Sequence, residues 1–315
     1  MDYMSEYKRW LDCSALSADE HAELAAVADN QEEIESRFFA PLSFGTAGLR
    51  GVLGVGLNRM NRFTVGQAAQ GLANLIVSNG QAAMDRGVAI AYDSRHFSAE
   101  FAKQSACIMA ANGIQSLLFD ELRPTPELSF AVRHYGCIAG INITASHNPK
   151  EYNGYKVYWE DGAQLPPAEA DVVASEMAKT DIFTDVKNAD YDESVKNGLI
   201  RILSKETDEA YLGEVIKVAV NPDCVKQVAD EFKLVYTPFH GAGYRLVPEI
   251  LRRLGYKHII CEPEQMKIDG DFPTVKNPNP EYKEGFTLAI ELAKQNDVDL
   301  IIGTDPDSDR TGIVL

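Results

Sequence analysis

The sequence predicts an α/β protein of two consecutive domains, each built on a mixed, mostly parallel sheet with helices on both faces. Its 315 residues correspond to about two domains of ordinary size. Short apolar segments typical of strands alternate with segments of helical periodicity, which is the pattern of layered α/β domains. The alternation occurs twice, before and after a polar segment at 181–205 that we interpret as a linker.

The chain begins with segments typical of polar helices, at 5–38. Within them, residues 20–28 combine helix-forming residues with apolar residues at helical spacing. A loop follows at 42–51, and then a helix that ends at Asn79-Gly80. One face of that helix is marked by Val65, Ala68, Ala69, Leu72, Leu75 and Ile76.

The first alternation predicts a helix that extends to Asn112, with Ser98 as its N-cap and Gly113 as its C-terminal stop. A second helix is predicted at 125–135. The predicted strands are 88–92, 114–119, 137–143 and 155–159.

The second alternation resembles the first in style, without a sequence repeat between them. Its predicted helices are 207–220, 244–254 and 284–295, and its predicted strands are 234–237, 258–261 and 298–302. The chain ends inside the apolar segment 311–315, which is typical of a strand interior. We therefore expect this chain to be a truncated portion of a longer protein.

Composition and charge exclude several classes of function. The net charge of −17 argues against nucleic-acid binding but permits a small anionic substrate, because a local cluster of cations outweighs distant screened charges. No apolar segment is long enough to span a membrane, and the N-terminus lacks a signal-peptide pattern, so we expect a cytoplasmic protein without membrane contact. The five scattered cysteines suggest reduced thiols rather than disulfides or a zinc site.

Ligands of open α/β sheets bind beyond the C-terminal ends of the strands, so the residues that follow each strand are candidates for a site. The segment 144–149 follows a predicted strand and contains Ser146 and His147. A serine in a polar loop is ordinarily just a loop residue. Taken alone, this segment therefore does not identify a site.

Three carboxylates follow the last predicted strand at alternate positions, namely Asp305, Asp307 and Asp309. Such closely spaced negative charges favour one hard cation, and Mg²⁺ is the natural choice beside phosphate oxygens. A calcium-binding EF-hand does not fit, because Arg310 occupies the position that requires glycine and the final ligand would fall beyond residue 315. A solvated acidic turn remains an alternative.

Two further loops add cationic side chains. Residues 44–50 are rich in glycine and end in Arg50, which can hold a phosphate through two hydrogen bonds. Residues 152–156 end in Lys156, whose pKa would be lowered by a nearby metal and arginines, as suits proton transfer from a sugar hydroxyl. The alternative for Lys156 is an ordinary lysine on a surface strand.

Together these loops indicate phosphoryl transfer through a phosphoserine. A competing enzyme class is a phosphatase or phosphotransferase with an aspartate nucleophile in a D-x-D loop, for which Asp305 and Asp307 are the candidates. That alternative leaves Ser146 and the first half of the chain unexplained. Phosphate on Asp305 rather than Ser146 would favour it.

From about residue 40 to its end, the sequence resembles the α-D-phosphohexomutases. Residues 144–149 match the family's phosphoserine loop, 305–310 its metal loop, 44–51 its N-terminal Gly-Arg loop and 152–156 the segment of its general base. Segments 58–61, 237–243 and 272–281 look most like its phosphoglucomutase and phosphopentomutase branch.

The resemblance implies a helical extension at 1–40, phosphohexomutase domain 1 at 41–200 and domain 2 at 201–315. The family has four domains, so we expect domains 3 and 4, which carry the sugar-recognition loop and the distal phosphate-binding loop, to be absent. Glucose phosphate is the preferred substrate on this basis, and phosphopentomutase or phosphomannomutase activity remains an alternative.

The resemblance also implies roles for individual residues. Phospho-Ser146 would exchange its phosphoryl group with sugar phosphates and a sugar bisphosphate, and no nucleotide cofactor is expected. The implied Mg²⁺ ligands are Ser146, Asp305, Asp307 and Asp309. Lys156 would be the general acid/base, Arg50 and Arg310 would stabilise the transferring group, and His147 would position the site, with a base role as an alternative.

A function of another class is a noncatalytic two-domain fragment that binds metal. We expect the 315-residue chain to show little mutase turnover by itself and to be prone to self-association through its second domain. The sequence makes no prediction of the oligomeric state.

Overall fold

Three short helices at the N-terminus of the structure, a computed structural model that describes residues 2–315, pack on the first sheet domain. They are α1 (Tyr3–Leu11), α2 (Ala18–Ala26) and α3 (Gln31–Phe38). Ser17 begins α2 with a reciprocal capping box to Glu20. Trp10 is fully buried against aromatic rings from α3 and from the following domain, so this extension shares a core with the rest of the chain.

The first sheet has six strands in the order β1-β5-β4-β2-β3-β6. Strands β4, β2, β3 and β6 run parallel, and β5 pairs antiparallel with both β4 and β1. The bounds are β1 Leu49–Val52, β2 Val88–Tyr92, β3 Ser116–Phe119, β4 Ala139–Ile143, β5 Tyr152–Trp159 and β6 Ile200–Leu203.

Helices cover both faces of this sheet. Apolar residues of α4, α6 and α8 form one core with the sheet, and α7 packs on the opposite face. The helix bounds are α4 Arg62–Ser78, α5 Gln81–Arg86, α6 Ser98–Ala111, α7 Thr125–Tyr135, α8 Pro167–Lys179 and α9 Tyr191–Lys196.

The second sheet has four strands in the order β10-β9-β7-β8, with only the β10–β9 pair antiparallel. Its strands are β7 Lys233–Thr237, β8 His258–Cys261, β9 Leu300–Thr304 and β10 Thr311–Val314. Its helices are α10 Lys205–Lys217, α11 Pro222–Val228, α12 Gly243–Arg253 and α13 Thr287–Asn296, the last preceded by a 3₁₀ turn at Lys283–Phe286. Cores form on both faces of this sheet, which confirms the predicted fold class of two mixed α/β units.

The segment 181–205 is not the irregular linker that its polarity suggested. It contains α9 and β6, and β6 pairs in parallel with β3, so the first sheet extends to Leu203. Strand β6 has only four residues and a single exposed position, Arg201. A strand this short carries too little alternation to be recognised from its sequence.

Ser98 is also not the N-cap of α6. Phe97 occupies that position with a φ of 64°, and Ser98 is the first helical residue. The Ser98 hydroxyl instead donates a hydrogen bond of 2.9 Å to Asp93 Oδ1. The side chain is thus used for a contact with the loop after β2, which no local pattern reveals. Gly113 does follow the helix, with a φ of 74°.

Among residues 2–315, no helix has both the length and the apolar character that crossing a membrane requires.

Candidate active site

The site forms where the loop after β4 meets the loop after β9, between the two sheets. Ser146 lies in the first loop and is 4% exposed. Its hydroxyl donates a hydrogen bond of 2.9 Å to Asp305 Oδ2 and lies 3.1 Å from His147 Nδ1. The backbone N–H of Ser146 donates to Thr144 Oγ1 at 2.8 Å, and Ser146 has a φ of 53°, in the left-handed region.

Asp305, Asp307 and Asp309 each offer a carboxylate oxygen, and these oxygens lie within 4.8 Å of one another. Asp305 Oδ1 accepts hydrogen bonds from the backbone N–H groups of Asp309 and Arg310, at 3.1 and 3.0 Å. Its Oδ2 is thereby left for Ser146. The turn of the loop therefore orients the Asp305 side chain toward the serine.

Asp307 provides a direct indication that a cation fits here. Its Oδ2 accepts from Lys156 Nζ at 2.9 Å and from Thr125 Oγ1 at 2.8 Å. Its Oδ1 is buried and has no hydrogen-bond partner within the described part of the chain. A buried carboxylate oxygen without a partner is costly, and a divalent cation held by oxygen ligands would satisfy it.

The pKa values show how crowded the negative charge is. Burial and the neighbouring charges of Asp307 and Asp309 raise the pKa of Asp305 well above its usual range. Burial and Asp307 likewise raise the pKa of Asp309. Burial opposes ionisation of Asp307 as well, but Lys156 outweighs it and lowers the pKa of Asp307. Without a cation, one lysine balances three carboxylates, and the cluster favours holding a proton.

Lys156 lies on β5, directly opposite Asn142 of β4, and its side chain is nearly buried. Its Nζ is 2.9 Å from Asp307 Oδ2 and 3.6 Å from Asp309 Oδ2. Burial lowers the pKa of Lys156, but the two carboxylates outweigh burial and raise it. The lowered pKa expected from the sequence refers to a lysine beside a bound metal and arginines. The groups that raise the pKa here are two of the carboxylates that could hold that metal.

The remaining predicted residues lie at the rim of the cluster. Arg50 is exposed on β1 and donates to Asn148 Oδ1 at 3.1 Å. The guanidinium of Arg310 pairs with Glu281 Oε1 at 3.1 Å. Burial, and then the charges of Arg310 and Arg50, lower the pKa of His147. Both guanidinium charges therefore act on the space beside Ser146.

Gly48 explains how the Arg50 strand reaches the site. Its φ is 73°, and a Cβ at this position would lie 1.9 Å from the carbonyl oxygen of Tyr155 on β5. The glycine is thus required for close packing of the loop on β5. The sequence had suggested that glycines in this loop allow approach to a phosphate, and the structure supplies this second reason for one of them.

The sequence did not identify Thr125 and Asn142 as site residues. Asn142 is fully buried in β4, and its side-chain amide donates a hydrogen bond of 2.6 Å to Thr125 Oγ1. The Thr125 hydroxyl in turn donates a hydrogen bond to Asp307 Oδ2. The backbone N–H of Thr125 also donates to the carbonyl oxygen of Asp307, at 2.8 Å. A polar asparagine inside an otherwise apolar strand was the available signal. Asp93 and Arg95, which follow β2, were missed as well.

Two family models match the chain. The model described as phosphoglucomutase/phosphomannomutase alpha/beta/alpha domain I matches residues 41–182, and that of domain II matches residues 209–315. A phosphoglucomutase of Staphylococcus saprophyticus is 41% identical over 284 residues, which cover 90% of this chain and 50% of the relative. One of Staphylococcus aureus strain N315 is 40% identical over 296 residues with the same coverage. The chain thus spans about half the length of these curated relatives.

Solved structures agree with these matches. A crystal structure from Thermus thermophilus, itself provisionally described as a phosphomannomutase, has a TM-score of 0.72 at 25% identity and covers 88% of this chain and 57% of its own. The open form of pp63/parafusin, a phosphoglucomutase from Paramecium, shares the fold with a TM-score of 0.63 at 20% identity, over 87% of this chain and 53% of its own. With both domain models matching most of its residues, the chain belongs to the phosphoglucomutase/phosphomannomutase family.

Proposed function

We propose that this chain carries the phosphoryl-transfer half of a phosphoglucomutase-type enzyme, in which Ser146 is the phosphoryl carrier. The observation that carries the proposal is the contact of Ser146 Oγ with Asp305 Oδ2 at 2.9 Å, beside two further carboxylates and one buried lysine. This arrangement combines a nucleophile, a cation site and a proton-transfer group within one cluster. The family assignment and the names of the relatives support the same reaction class.

Asp305, Asp307 and Asp309, with an oxygen on Ser146, would hold the cation, and Mg²⁺ suits a site of carboxylate and phosphate oxygens. When bound, the cation would offset negative charge on the phosphoryl oxygens and on the aspartates, and the pKa of Lys156 would fall as a result.

In the proposed reaction, Ser146 carries the phosphoryl group and Lys156 transfers the proton. The P–O bond to Ser146 Oγ breaks as a P–O bond forms to a hydroxyl oxygen of the sugar phosphate. The proton of that hydroxyl passes to Lys156 Nζ, which would enter the step as the neutral amine, and Ser146 Oγ takes up a proton from solvent. Lys156 lies 2.9 Å from Asp307, so its amine is held at a fixed place beside the reacting atoms.

The resulting sugar bisphosphate reorients and returns its other phosphate to Ser146, with Lys156 now giving back its proton. The net result is the movement of phosphate between C1 and C6 of a hexose. Arg50 and Arg310 stabilise the charge of the transferring group, and His147, 3.1 Å from Ser146 Oγ, positions the hydroxyl.

Glucose phosphate is the preferred substrate because the relatives that match this chain at about 40% identity are named phosphoglucomutases. Mannose phosphate and pentose phosphate are the alternatives, and the two-domain match leaves the choice to experiment.

The test is phosphoryl uptake by the purified chain. We would incubate it with glucose 1,6-bisphosphate and Mg²⁺ and locate any added phosphoryl group by intact mass and peptide mapping. Label on Ser146 that depends on Mg²⁺ and is lost in Ser146→Ala supports the proposal. Label on Asp305 would support an aspartate nucleophile instead. Metal binding without any label would support a noncatalytic fragment.

A further inference from the structure

Arg95, in the loop after β2, lies behind the Ser146 loop and binds its backbone. Its guanidinium donates to four carbonyl oxygens of residues 146–152, and its side chain is fully buried. The partners are the carbonyls of Ser146 at 2.6 Å, Asn148 at 2.6 Å, Pro149 at 2.8 Å and Tyr152 at 3.0 Å. One planar group therefore binds the loop backbone at four positions.

Asp93 holds this guanidinium and the other end of the loop together. Arg95 Nε lies 3.2 Å from Asp93 Oδ2. The same carboxylate oxygen accepts a hydrogen bond of 2.6 Å from Thr144 Oγ1. The Thr144 hydroxyl oxygen in turn accepts a hydrogen bond of 2.8 Å from the backbone N–H of Ser146. The backbone on both sides of the Ser146 side chain is thus tied to one ion pair.

The second domain covers this ion pair. The ring of Phe272 lies 5.1 Å from the Arg95 guanidinium carbon. Gly270 packs so tightly on the loop after β2 that a Cβ there would lie 2.8 Å from the backbone nitrogen of His96. The position of Arg95 therefore depends on contacts from both domains.

These contacts are needed because Ser146 has a φ of 53°, a conformation that a non-glycine residue keeps only when its surroundings impose it. Lysine could not replace arginine here, since an ammonium group has three donors on a flexible stem and no planar fork. Without the guanidinium, the loop carbonyls would also lose their buried donors.

We propose that Arg95 is a positioning residue that holds Ser146 Oγ against Asp305 through the backbone of the Ser146 loop. Phe272 of the second domain packs against the guanidinium and keeps it in place. The catalytic significance of this role rests on the proposed function of Ser146. The geometry of the loop does not depend on that function, so it is tested separately.

The first test uses the variant S146C and measures alkylation of its introduced thiol by iodoacetamide, with peptide mapping to read each cysteine. We expect this thiol to react roughly tenfold faster in S146C/R95M than in S146C, because release of the strained loop favours open conformations. The buried Cys107 and Cys137 serve as internal probes and should keep their rates, since the loosening is local.

The matched control is S146C/R37M. Arg37 also binds carboxylates and a backbone carbonyl, that of Val55 at 2.9 Å, but it belongs to the N-terminal helices. Its loss should leave the alkylation rate of the introduced thiol unchanged. The proposal is overturned if R95M leaves that rate within about twofold of S146C, or if Cys107 and Cys137 accelerate in parallel. If R95M does not fold, S146C/F272L makes the same test, with a smaller acceleration expected.

The second test keeps Ser146 and compares phosphoryl uptake from glucose 1,6-bisphosphate in wild type, R95K and R37M. Misplacing a nucleophile by about 1 Å costs up to about 100-fold in rate, so we expect R95K to be at least about tenfold slower and R37M to be unaffected. An R95K rate equal to that of wild type would overturn the positioning role. If wild type takes up no phosphoryl group, the proposed function fails, and the alkylation result still decides the loop geometry.

Discussion

Two buried clusters of charge connect the same two domains, and they differ in how their cations and carboxylates are matched. At the candidate site, Lys156 faces the three carboxylates of the metal loop, and Asp307 Oδ1 has no partner among residues 2–315. The second cluster joins Arg123 and Glu127 of the first domain to Asp208 of α10 and Arg245 of α12. In it, the carboxylate of Asp208 is bonded by both guanidinium groups.

The second cluster, which we call the balanced cluster, pairs each of its two guanidinium groups with carboxylates. Arg123 Nε donates 2.7 Å to Asp208 Oδ1, and the Arg123 side chain is only 1% exposed. Glu127 is fully buried, and burial together with the charge of Asp208 raises its pKa to about 9, so it is neutral at pH 7. Arg123 also pairs with Asp120 at 2.9 Å, and Arg245, whose side chain is 38% exposed, pairs with Glu121 at 3.1 Å, so each guanidinium group contacts at least two carboxylates. The candidate site instead keeps an excess of negative charge, which is what a cation site requires.

The largest expected effect on stability is in the balanced cluster. Asp208→Asn removes the carboxylate that lies 2.7 Å from Arg123 Nε, and Asp120, 2.9 Å from Arg123 Nη2, and Glu127, 3.8 Å from Nε, compensate only in part. We expect the free energy of unfolding at pH 7 to fall by about 3 kcal/mol, measured by urea denaturation. Mn²⁺ affinity, measured by electron paramagnetic resonance, should stay as in wild type. A parallel loss of metal affinity would show that the two clusters are not separate in function.

Metal should stabilise the wild-type chain and not a variant of its ligand set. At a Mg²⁺ concentration of about 100 times the dissociation constant, binding to the folded state adds about 2.7 kcal/mol to the free energy of unfolding. Asp307→Asn should lose most of this increment at the same concentration, because Asp307 Oδ1 is the unpartnered oxygen. Asp208→Asn should show the full Mg²⁺-dependent increase in the free energy of unfolding, starting from a lower value without Mg²⁺. Thermal unfolding with and without Mg²⁺ measures both, and an equal increment in all three chains would contradict the assignment of the site.

The difference between the clusters also explains what the sequence could predict. Ser146 and Asp305 could be predicted from the sequence because polar residues directly follow apolar strands, and strand ends converge in α/β sheets. Thr125 lies at the start of a helix, and Asn142 lies inside a strand. Asn142 donates to the Thr125 hydroxyl, and the contact of Thr125 with Asp307 depends on how the two domains meet, which local patterns do not contain.

Arg123 and Asp208 illustrate the same limit. They are 85 positions apart, and their pairing was not predicted at all. Strand β6 was missed because its four residues show too little periodicity. Elements with long, regular patterns were therefore predictable, whereas short elements and contacts between domains were not.

Glu127 provides a test of how the balanced cluster responds to pH. The groups that face it are Arg123, Asp208, Arg245 and Tyr211. Its pKa is raised to about 9 in the folded state, so between its unfolded value near 4.5 and that value the folded state binds one more proton than the unfolded state. Stability contributed by the neutral carboxyl is therefore lost as pH rises through this window.

Glu127→Gln removes that dependence because the amide stays neutral. Between pH 6 and pH 8 we expect the variant to gain about 2.7 kcal/mol in free energy of unfolding relative to wild type. Urea denaturation at a series of pH values measures the difference. Parallel pH profiles of the two chains would show that Glu127 is already ionised in the folded state, and the balanced-cluster interpretation would then be wrong.

The smallest expected effect concerns the orientation of Asp307. Thr125→Val removes a hydroxyl that donates to Asp307 Oδ2 and leaves the amide of Asn142 without its acceptor. We expect Mn²⁺ affinity to fall about tenfold, which is typical when a group that orients a metal ligand is lost. Thr207→Val is the matched control, since Thr207 is equally buried and its hydroxyl pairs with Tyr135 at 2.8 Å, on the side of the balanced cluster. Because both changes replace a buried hydroxyl with a methyl group, similar losses of stability are expected, and only the Thr125 variant should lose metal affinity. If Thr207→Val weakened Mn²⁺ binding as much, the effect would reflect general loosening of the domain contact rather than the orientation of one carboxylate.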